Sequence, residues 1–233
     1  MSGNSILVFG ATGPAGICLL RELLYRKHQT IAFVRSPSKI PQDLVSNSFL
    51  ELVKGDITDK TALSKAVASS KAIISLLGPN TRTVPNSNIY ANFYEIVLGL
   101  MRAHGVSRIL AMGTISSYTP DDRFSVMRGM VVNMLRVVAN SSYRSTLAIG
   151  DKFQAVGGEI EWTVFRIFTV VGESDEAAWK ASRDAKVFAG YVGHPGSGTS
   201  IKRGTLARWL VDGVEQGMGE WVRALPLVTE YKE

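Results

Sequence analysis

Three glycines stand at three-residue spacing in "GATGPAG", at Gly10, Gly13 and Gly16, directly after the apolar run "SILVF". That residue type at that spacing suits one kind of chemistry. Gly10 permits a tight turn at the end of a strand, Gly13 lets backbone approach a pyrophosphate, and Gly16 lets a helix pack closely on the strand. Thr12 and Ala15 fill the turn between them. Pro14 falls where the first helical turn has N–H groups to spare, so it preorganises the helix instead of breaking it. The helix N-terminus then offers orphan N–H donors and the positive end of its dipole to a phosphate. Strand, glycine turn and helix in that order predict a dinucleotide site.

The end of the next apolar run selects the dinucleotide. An Asp or Glu there would bind the ribose 2′-hydroxyl of NAD, whereas an Arg accommodates the 2′-phosphate of NADP. Here "TIAFV" runs into Arg35-Ser36-Pro37-Ser38-Lys39, with no carboxylate before Asp43. A guanidinium at Arg35 can grip the phosphate with two hydrogen bonds and stack on adenine. Lys39 adds a second charge and Ser36 a hydroxyl. The chain is therefore expected to take NADP(H) in preference to NAD(H).

These residues need a scaffold to bring them together, and the chain supplies an alternating one. Short apolar, β-branched runs at 5–9, 30–34, 49–54, 72–76, 108–112 and 161–165 predict strands. Several are apolar almost throughout, as strands buried on both faces must be. Helix-length segments at 15–26, 60–69, 87–104 and 144–156 separate them. Strand–helix–strand units in series imply a parallel sheet with right-handed crossovers. The predicted architecture is α/β, a Rossmann-type doubly wound parallel sheet in one domain spanning 1–233. Residues from about 172 to 200 are polar, glycine-rich and dotted with aromatics, which predicts a small C-terminal lobe on the substrate side. A short strand and an amphipathic helix in "TSIKRGTLARWLVDGVEQG" are expected to close the domain.

Composition narrows the function classes. The 233 residues carry 26 Lys and Arg against 20 Asp and Glu, a net charge of +6. No basic block exceeds two consecutive residues, so nucleic acid is not an expected partner and a general attraction for anionic ligands is the more economical reading. No stretch reaches the length of a membrane span, and "MSGNSILVFG" has neither the basic segment nor the long apolar run of a signal peptide. A cytoplasmic protein without a membrane partner follows as the expectation. The lone Cys18 rules out an internal disulfide, and its apolar setting "ICLL" predicts a buried structural thiol. His28, His104 and His194 are scattered, and no metal site is expected.

"GATGPAG", the "VR" closing the second run, "VKGDITD", "IISLLGPN", "RAHGVSRILAMGT" and "IEWTVFRIFTVVG" together resemble the atypical short-chain dehydrogenases/reductases. The nearest groups are the NmrA-like NAD(P)-binding proteins and the biliverdin reductase B (flavin reductase) type. The resemblance extends to "SIKRGTLARWLVDGVEQG" and covers nearly the whole chain. It implies that Asp56 and Ile57 meet the adenine, and that Leu77 and Gly78 pack against the adenine-side ribose. It further places Met112, Gly113 and Thr114 beside the nicotinamide ribose, and Phe168, Thr169 and Val170 around the carboxamide. Asp56 could equally cap the helix that begins near Asp59.

Classical members of the superfamily use Ser, Tyr and Lys, with Tyr-x-x-x-Lys on one helix, so that the lysine orients the ribose and the tyrosine donates a proton. This chain departs from that pattern. Lys152 stands at a family-like distance before the sixth strand, but four residues earlier there is Ala148. Thr114 stands near the usual serine, Lys152 is the candidate to orient the ribose, and Tyr143 is one candidate proton donor. After the fifth strand, Phe124, Met127 and Met130 fall at helical spacing, which predicts core or dimer contact. With Tyr118, Trp179, Phe188 and Tyr191 they are the residues available to line a pocket for an apolar or aromatic small molecule. The expected activity is NADP(H)-dependent reduction of a carbonyl, quinone, flavin or similar conjugated compound by a monomer or homodimer. A non-catalytic redox sensor, or an isomerase or cyclase that borrows the fold, are the alternatives.

Overall fold

The computed structural model describes residues 3–79 and 81–233. In chain order the elements begin with β1 (Ser5–Phe9), α1 (Pro14–Tyr25), β2 (Thr30–Val34), α2 (Gln42–Val45) and β3 (Leu50–Lys54). The middle of the chain supplies α3 (Lys60–Ala68), β4 (Ser70–Ser75), α4 (Ile89–His104) and β5 (Arg108–Thr114). Next come α5 (Val126–Val138), α6 (Asn140–Gln154), β6 (Glu161–Ile167), β7 (Thr169–Val171) and α7 (Glu176–Ser182). The chain closes with β8 (Val187–Gly190), β9 (Ser200–Lys202), α8 (Arg203–Glu215) and β10 (Leu227–Glu230).

Eight strands form one sheet in the order β3-β2-β1-β4-β5-β6-β10-β8. All neighbours are parallel except β8, which runs antiparallel to β10. β1 pairs with β2 on one side and β4 on the other, Phe9 facing Phe33 and Ser75, so the strand order reverses between β1 and β4. In such a sheet ligands bind outside the carboxyl ends of the strands at that reversal.

Strand alternation builds two cores. Ile6, Val8, Ala32, Val34 and Ile74 face Leu19, Leu20 and Leu23 of α1 and Leu206 and Leu210 of α8. Leu7, Phe9, Ile31, Phe33 and Ile73 face Leu63 and Val67 of α3, Phe93 and Val97 of α4, and Phe153 of α6. Successive side chains point to opposite faces, so both faces must be apolar when both are covered. That requirement is why the predicted strands were legible as unbroken apolar runs.

The first part of the segment from 172 to 200 packs along α1, while Phe188 and Val192 pack with Ile115 and Phe168. Cys18 Sγ donates to the Glu173 carbonyl (3.8 Å), Arg21 Nε to that of Ser174 (3.1 Å), and α7 continues down beside α1. β8 then joins the main sheet as its outer strand. The reason is Glu22, a fully buried carboxylate on α1. It accepts from Trp179 Nε1 (3.0 Å), from Arg183 through Nε (3.0 Å) and a terminal nitrogen (2.8 Å), and from Arg26 Nε (2.8 Å). Burial alone would raise its pKa, but the two guanidiniums more than offset that and hold it below the usual carboxylate range. Trp179 is therefore a core residue, its indole N–H bonded to Glu22. Glu22→Gln keeps the shape and removes the charge, leaving two guanidiniums short of a partner. We expect a loss of about 2 kcal/mol in urea unfolding, with α7 the first element to exchange its amides.

Candidate functional site

Six loops meet along the carboxyl edge of the sheet, in the spatial order β3, β2, β1, β4, β5, β6. Strands spaced about 4.8 Å apart make that row roughly 24 Å long, enough for an extended dinucleotide.

At its centre the glycine turn leaves β1. Gly10 has φ +79°, a left-handed conformation that glycine adopts without strain, and its α-carbon sits against the Leu76 backbone at the end of β4. A Cβ on Gly16 would lie 2.2 Å from the Gly10 carbonyl oxygen, so only glycine lets α1 pack so close to the turn. Gly13 is different. Its backbone is ordinary extended (φ −79°, ψ 160°), and a Cβ there would find its nearest neighbour, the Gly10 oxygen, at 3.6 Å. Space is left open on the ligand side of Gly13. Pro14 opens α1, no side chain caps it and its first turn holds no carboxylate, so its dipole meets the crevice unneutralised. Thr12 and Ala15 are half-buried on either side of that opening.

At the end of β2, Arg35, Ser36 and Lys39 are all exposed, with a tight turn closed by Lys39 N–H donating to the Ser36 carbonyl (3.1 Å). Among the described residues neither cation has an acidic partner. At the end of β3, Asp56 Oδ1 accepts from the Thr58 N–H (3.1 Å) and hydroxyl (3.0 Å). The capping of α3 falls instead to Asp59, whose Oδ1 accepts from Ala62 N–H (3.0 Å). Asp56 is thus not the cap, and its second oxygen remains open at the strand end. Ile57 is half-buried beside it.

The β4 end is held by a residue the sequence did not single out. Tyr94 on α4 is fully buried, bonds Ser75 Oγ (2.7 Å) and donates to the Leu77 carbonyl (2.9 Å). Burial drives its phenol far above the usual range, so it stays a neutral donor. It fixes Leu77 and Gly78, and Gly78 lies beside Met112 of β5. Asn80, the last residue of "IISLLGPN", lies outside the described residues.

On the far side, β5 extends two residues beyond its predicted end, to Thr114. Gly113 admits Val164 of β6, whose Cγ1 would be 2.7 Å from a Cβ at that position. Thr114 Oγ1 accepts from Ser116 N–H (3.2 Å). After β6, Phe168 packs with Ile115, Val192 and Leu227, while Thr169 and Val170 pair with Ser200 and Ile201 of β9.

Beneath these loops lies a second missed feature. Arg166, in the middle of the apolar run "WTVFRIF", has a fully buried side chain bonded through both terminal nitrogens to Asp122 (2.6 and 2.8 Å). Its remaining donors reach the carbonyls of Leu225 (2.6 Å) and Ser117 (2.9 Å). Asp122 in turn accepts from Val192 N–H (3.0 Å) and Thr119 N–H (3.1 Å). One buried ion pair therefore ties the β5–α5 loop, the loop after β8 and the approach to β10 into one unit. A lone Arg in an apolar strand is the available sequence signal, since a buried charge must be paired.

α6 separates the catalytic candidates. Gly150 faces Ser117, whose Oγ would be 3.2 Å from a Cβ there. Tyr143, seven residues earlier, lies two turns up on that same face. Lys152 is nine residues from Tyr143, half a revolution round the helix. Its Nζ pairs with Glu95 of α4 (2.8 Å), beside a groove lined by Asn88, Asn92 and Asp151. The expectation that Lys152 orients a ribose at the strand ends is corrected accordingly: the charge of Glu95 draws it to the α4–α6 seam.

A family model described as NAD(P)H-binding matches residues 10–216, from the first glycine of the turn to the end of α8. The chain belongs to the NAD(P)H-binding family. Solved structures share its fold along nearly the full length. A short-chain dehydrogenase/reductase (wide type) from Veillonella parvula DSM 2008, in complex with NADP, is 12% identical with a TM-score of 0.73, covering 99% of this chain and 95% of its own. The oxidoreductase ylbE from Lactococcus lactis is 15% identical with a TM-score of 0.72, covering 98% and 91%. ChuY, an anaerobillin reductase from Escherichia coli O157:H7, is 13% identical with a TM-score of 0.70, covering 97% of each chain. This NAD(P)H-binding protein therefore has the Rossmann-type fold of the short-chain dehydrogenases/reductases. No helix among its described residues is long and apolar enough to cross a membrane.

Cys18 is buried, and its thiol is pushed up to about 11 by that burial, which makes it an unreactive packing residue. His194 Nε2 bonds the Asp121 carbonyl (3.0 Å) of the β5–α5 loop. Phe124, Met127 and Met130 are not core residues: α5 buries none of its side chains fully, and these three face solvent.

Proposed function

We propose that this protein is an NADP(H)-dependent reductase of a conjugated, apolar or aromatic small molecule: a carbonyl compound, a quinone or a flavin. The observation that carries the cofactor preference is the pair of unpaired cations at the end of β2. Arg35 and Lys39 stand exposed where a carboxylate would select NAD, and both lack an acidic partner among the described residues. The NADP held by the Veillonella structure supports the same choice.

The residues present fit that cofactor. The open space at Gly13 and the uncapped start of α1 receive the pyrophosphate, Asp56 and Ile57 the adenine, and Met112, Gly113 and Phe168–Val170 the nicotinamide half. When bound, NADPH supplies a hydride to a substrate stacked on its ring. The chain's own contribution at that end is apolar: Met112, Ile115 and Phe168 exclude water and hold a flat molecule in place. Tyr143 is the tyrosine on the crevice face of α6 and Thr114 the hydroxyl at the end of β5, which makes these two the proton-handling candidates. The reductase neighbours, one acting on anaerobillin, favour a substrate of extended conjugation.

Fluorescence titration with NADPH and NADH, followed by a screen of quinones, flavins and aromatic ketones for loss of absorbance at the NADPH band, tests the reading. Turnover of at least one class supports it. Tight NADPH binding without turnover of any would replace it by the redox-sensor reading, which the withdrawal of Lys152 to Glu95 favours. Two glycine variants separate fold from site. Gly16→Ala must push on backbone and is expected to cost about 1–3 kcal/mol. Gly13→Ala should melt like the parent yet bind NADPH about tenfold more weakly, because its methyl occupies the space left for the pyrophosphate.

A further inference from the structure

α5 is the one long helix of the described chain with no fully buried residue, although it is among the most apolar. Its inner side is satisfied. Arg128 Nε donates to the Ile115 carbonyl (2.8 Å), and Val131 and Val132 pack on the cluster around Ile115 and Val192. The outer side is not. Met127, Met130, Met134, Val137 and Val138 fall within about a third of the helix circumference, and Phe124 extends the stripe at the N-terminal end. Phe124 is 91% exposed and Val137 83%. All six are exposed large apolar side chains, and a run of them on one helix face marks an interaction site and not an ordinary soluble surface.

Charge decides what covers the stripe. Residues 123–150 contain no Asp or Glu, and they contain Arg123, Arg128, Arg136 and Arg144. Arg123, Arg136 and Arg144 are exposed. Arg136 stands on the opposite side of α5 from the centre of the stripe, and Arg123 and Arg144 flank the helix in sequence, so a basic face with no carboxylate backs an apolar one, the division of an interfacial membrane helix. An anionic lipid surface answers both properties at once: acyl chains take up the stripe, and headgroup phosphates meet the arginines, whose long stems can reach outward from the helix.

We propose that α5 is an in-plane attachment helix by which this protein binds the surface of an anionic bilayer. Such a helix lies at the boundary of headgroup and acyl chain and does not cross the bilayer. The proposal is independent of the reductase reading.

Flotation of the full chain with lipid vesicles tests it. With phosphatidylcholine containing phosphatidylglycerol, the bound fraction should exceed that on phosphatidylcholine alone by about tenfold or more, since each arginine near the surface favours binding about fivefold. High sodium chloride should remove most of that gain. Met130→Glu combined with Val137→Glu alters two exposed side chains; it should abolish flotation while leaving the melting temperature and NADPH titration of the parent. Equal binding to both vesicle types, absence of binding to either, or flotation that survives the double variant would each overturn the proposal. So would a parent dimer in light scattering that the same variant dissociates without any vesicle binding, which would assign the stripe to a second copy.

Discussion

Arg166→Leu is expected to lower the stability of the fold by about 3–5 kcal/mol, because it leaves the Asp122 carboxylate buried without its countercharge. For a chain of this size that is a fall in melting temperature of roughly 6–20 °C. Asp122→Asn should cost nearly as much, since it strands the guanidinium in turn. Replacing both, Arg166→Met with Asp122→Ala, should cost less than the two single losses together. The double variant removes the unpaired charge and forfeits the acceptor for the Val192 and Thr119 N–H groups and the donors to the Leu225 and Ser117 carbonyls. Acid distinguishes the cases. Burial alone would raise the Asp122 pKa, but the Arg166 hydrogen bonds and charge outweigh it and hold the carboxyl below the usual range. A group depressed on folding contributes its full stability above the unfolded value near 4 and loses it as pH falls through the lower folded value. The parent should therefore lose stability below about pH 4. In Arg166→Leu the deficit should shrink there, because a protonated Asp122 no longer needs a cation. A deficit constant from neutral pH to pH 3 would show that the pair acts through packing and not charge.

Arg35→Asp is expected to weaken NADPH binding by about a hundredfold, while NADH changes by less than about threefold. The size follows from losing a charge-assisted, two-pronged contact of about 1.5–3 kcal/mol and setting a carboxylate against the 2′-phosphate. Among the described residues the exposed Arg35 side chain makes no hydrogen bond or ion pair, so the melting temperature of the free protein should not move. Equal losses for the two cofactors would remove the 2′-phosphate assignment. A Lys39→Ala variant should show the same selectivity at smaller amplitude, since a flexible ammonium offers a point charge in place of a planar fork.

Much of the fold is legible before any coordinate is known, and the reason is the burial of both sheet faces. β1 and β2 occupy the predicted residues, and β3 to β6 differ by at most two residues at an end, because apolar runs flanked by turn residues have few other readings. The final strand, β10, was missed. "LPLVTE" is short, ends in polar residues and acquires its place only by pairing with β6 and β8, far away in sequence. The site divides the same way. The glycines stand at the end of β1, Arg35 after β2 and Asp56 after β3, positions that local sequence and strand ends mark out. Arg166, Asp122, Tyr94 and Glu22 each depend on at least one partner 17 to 161 residues distant, which no local pattern encodes. Lys152 shows the converse error: sequence distance suggested a ribose contact, and only the helical phase relative to Tyr143 and the presence of Glu95 withdrew it.

Cys18 has a further use. It is the chain's single sulfhydryl, it lies one turn into the helix that begins at the glycine turn, and with its proton held to about 11 it is closed to alkylating reagents while that helix stays seated. Its labelling rate is thus a built-in clock for the lifting of α1 off the sheet, countable by mass in the unmodified protein. A ligand that grips the glycine turn should slow that clock in proportion to its occupancy, whichever molecule the protein turns over.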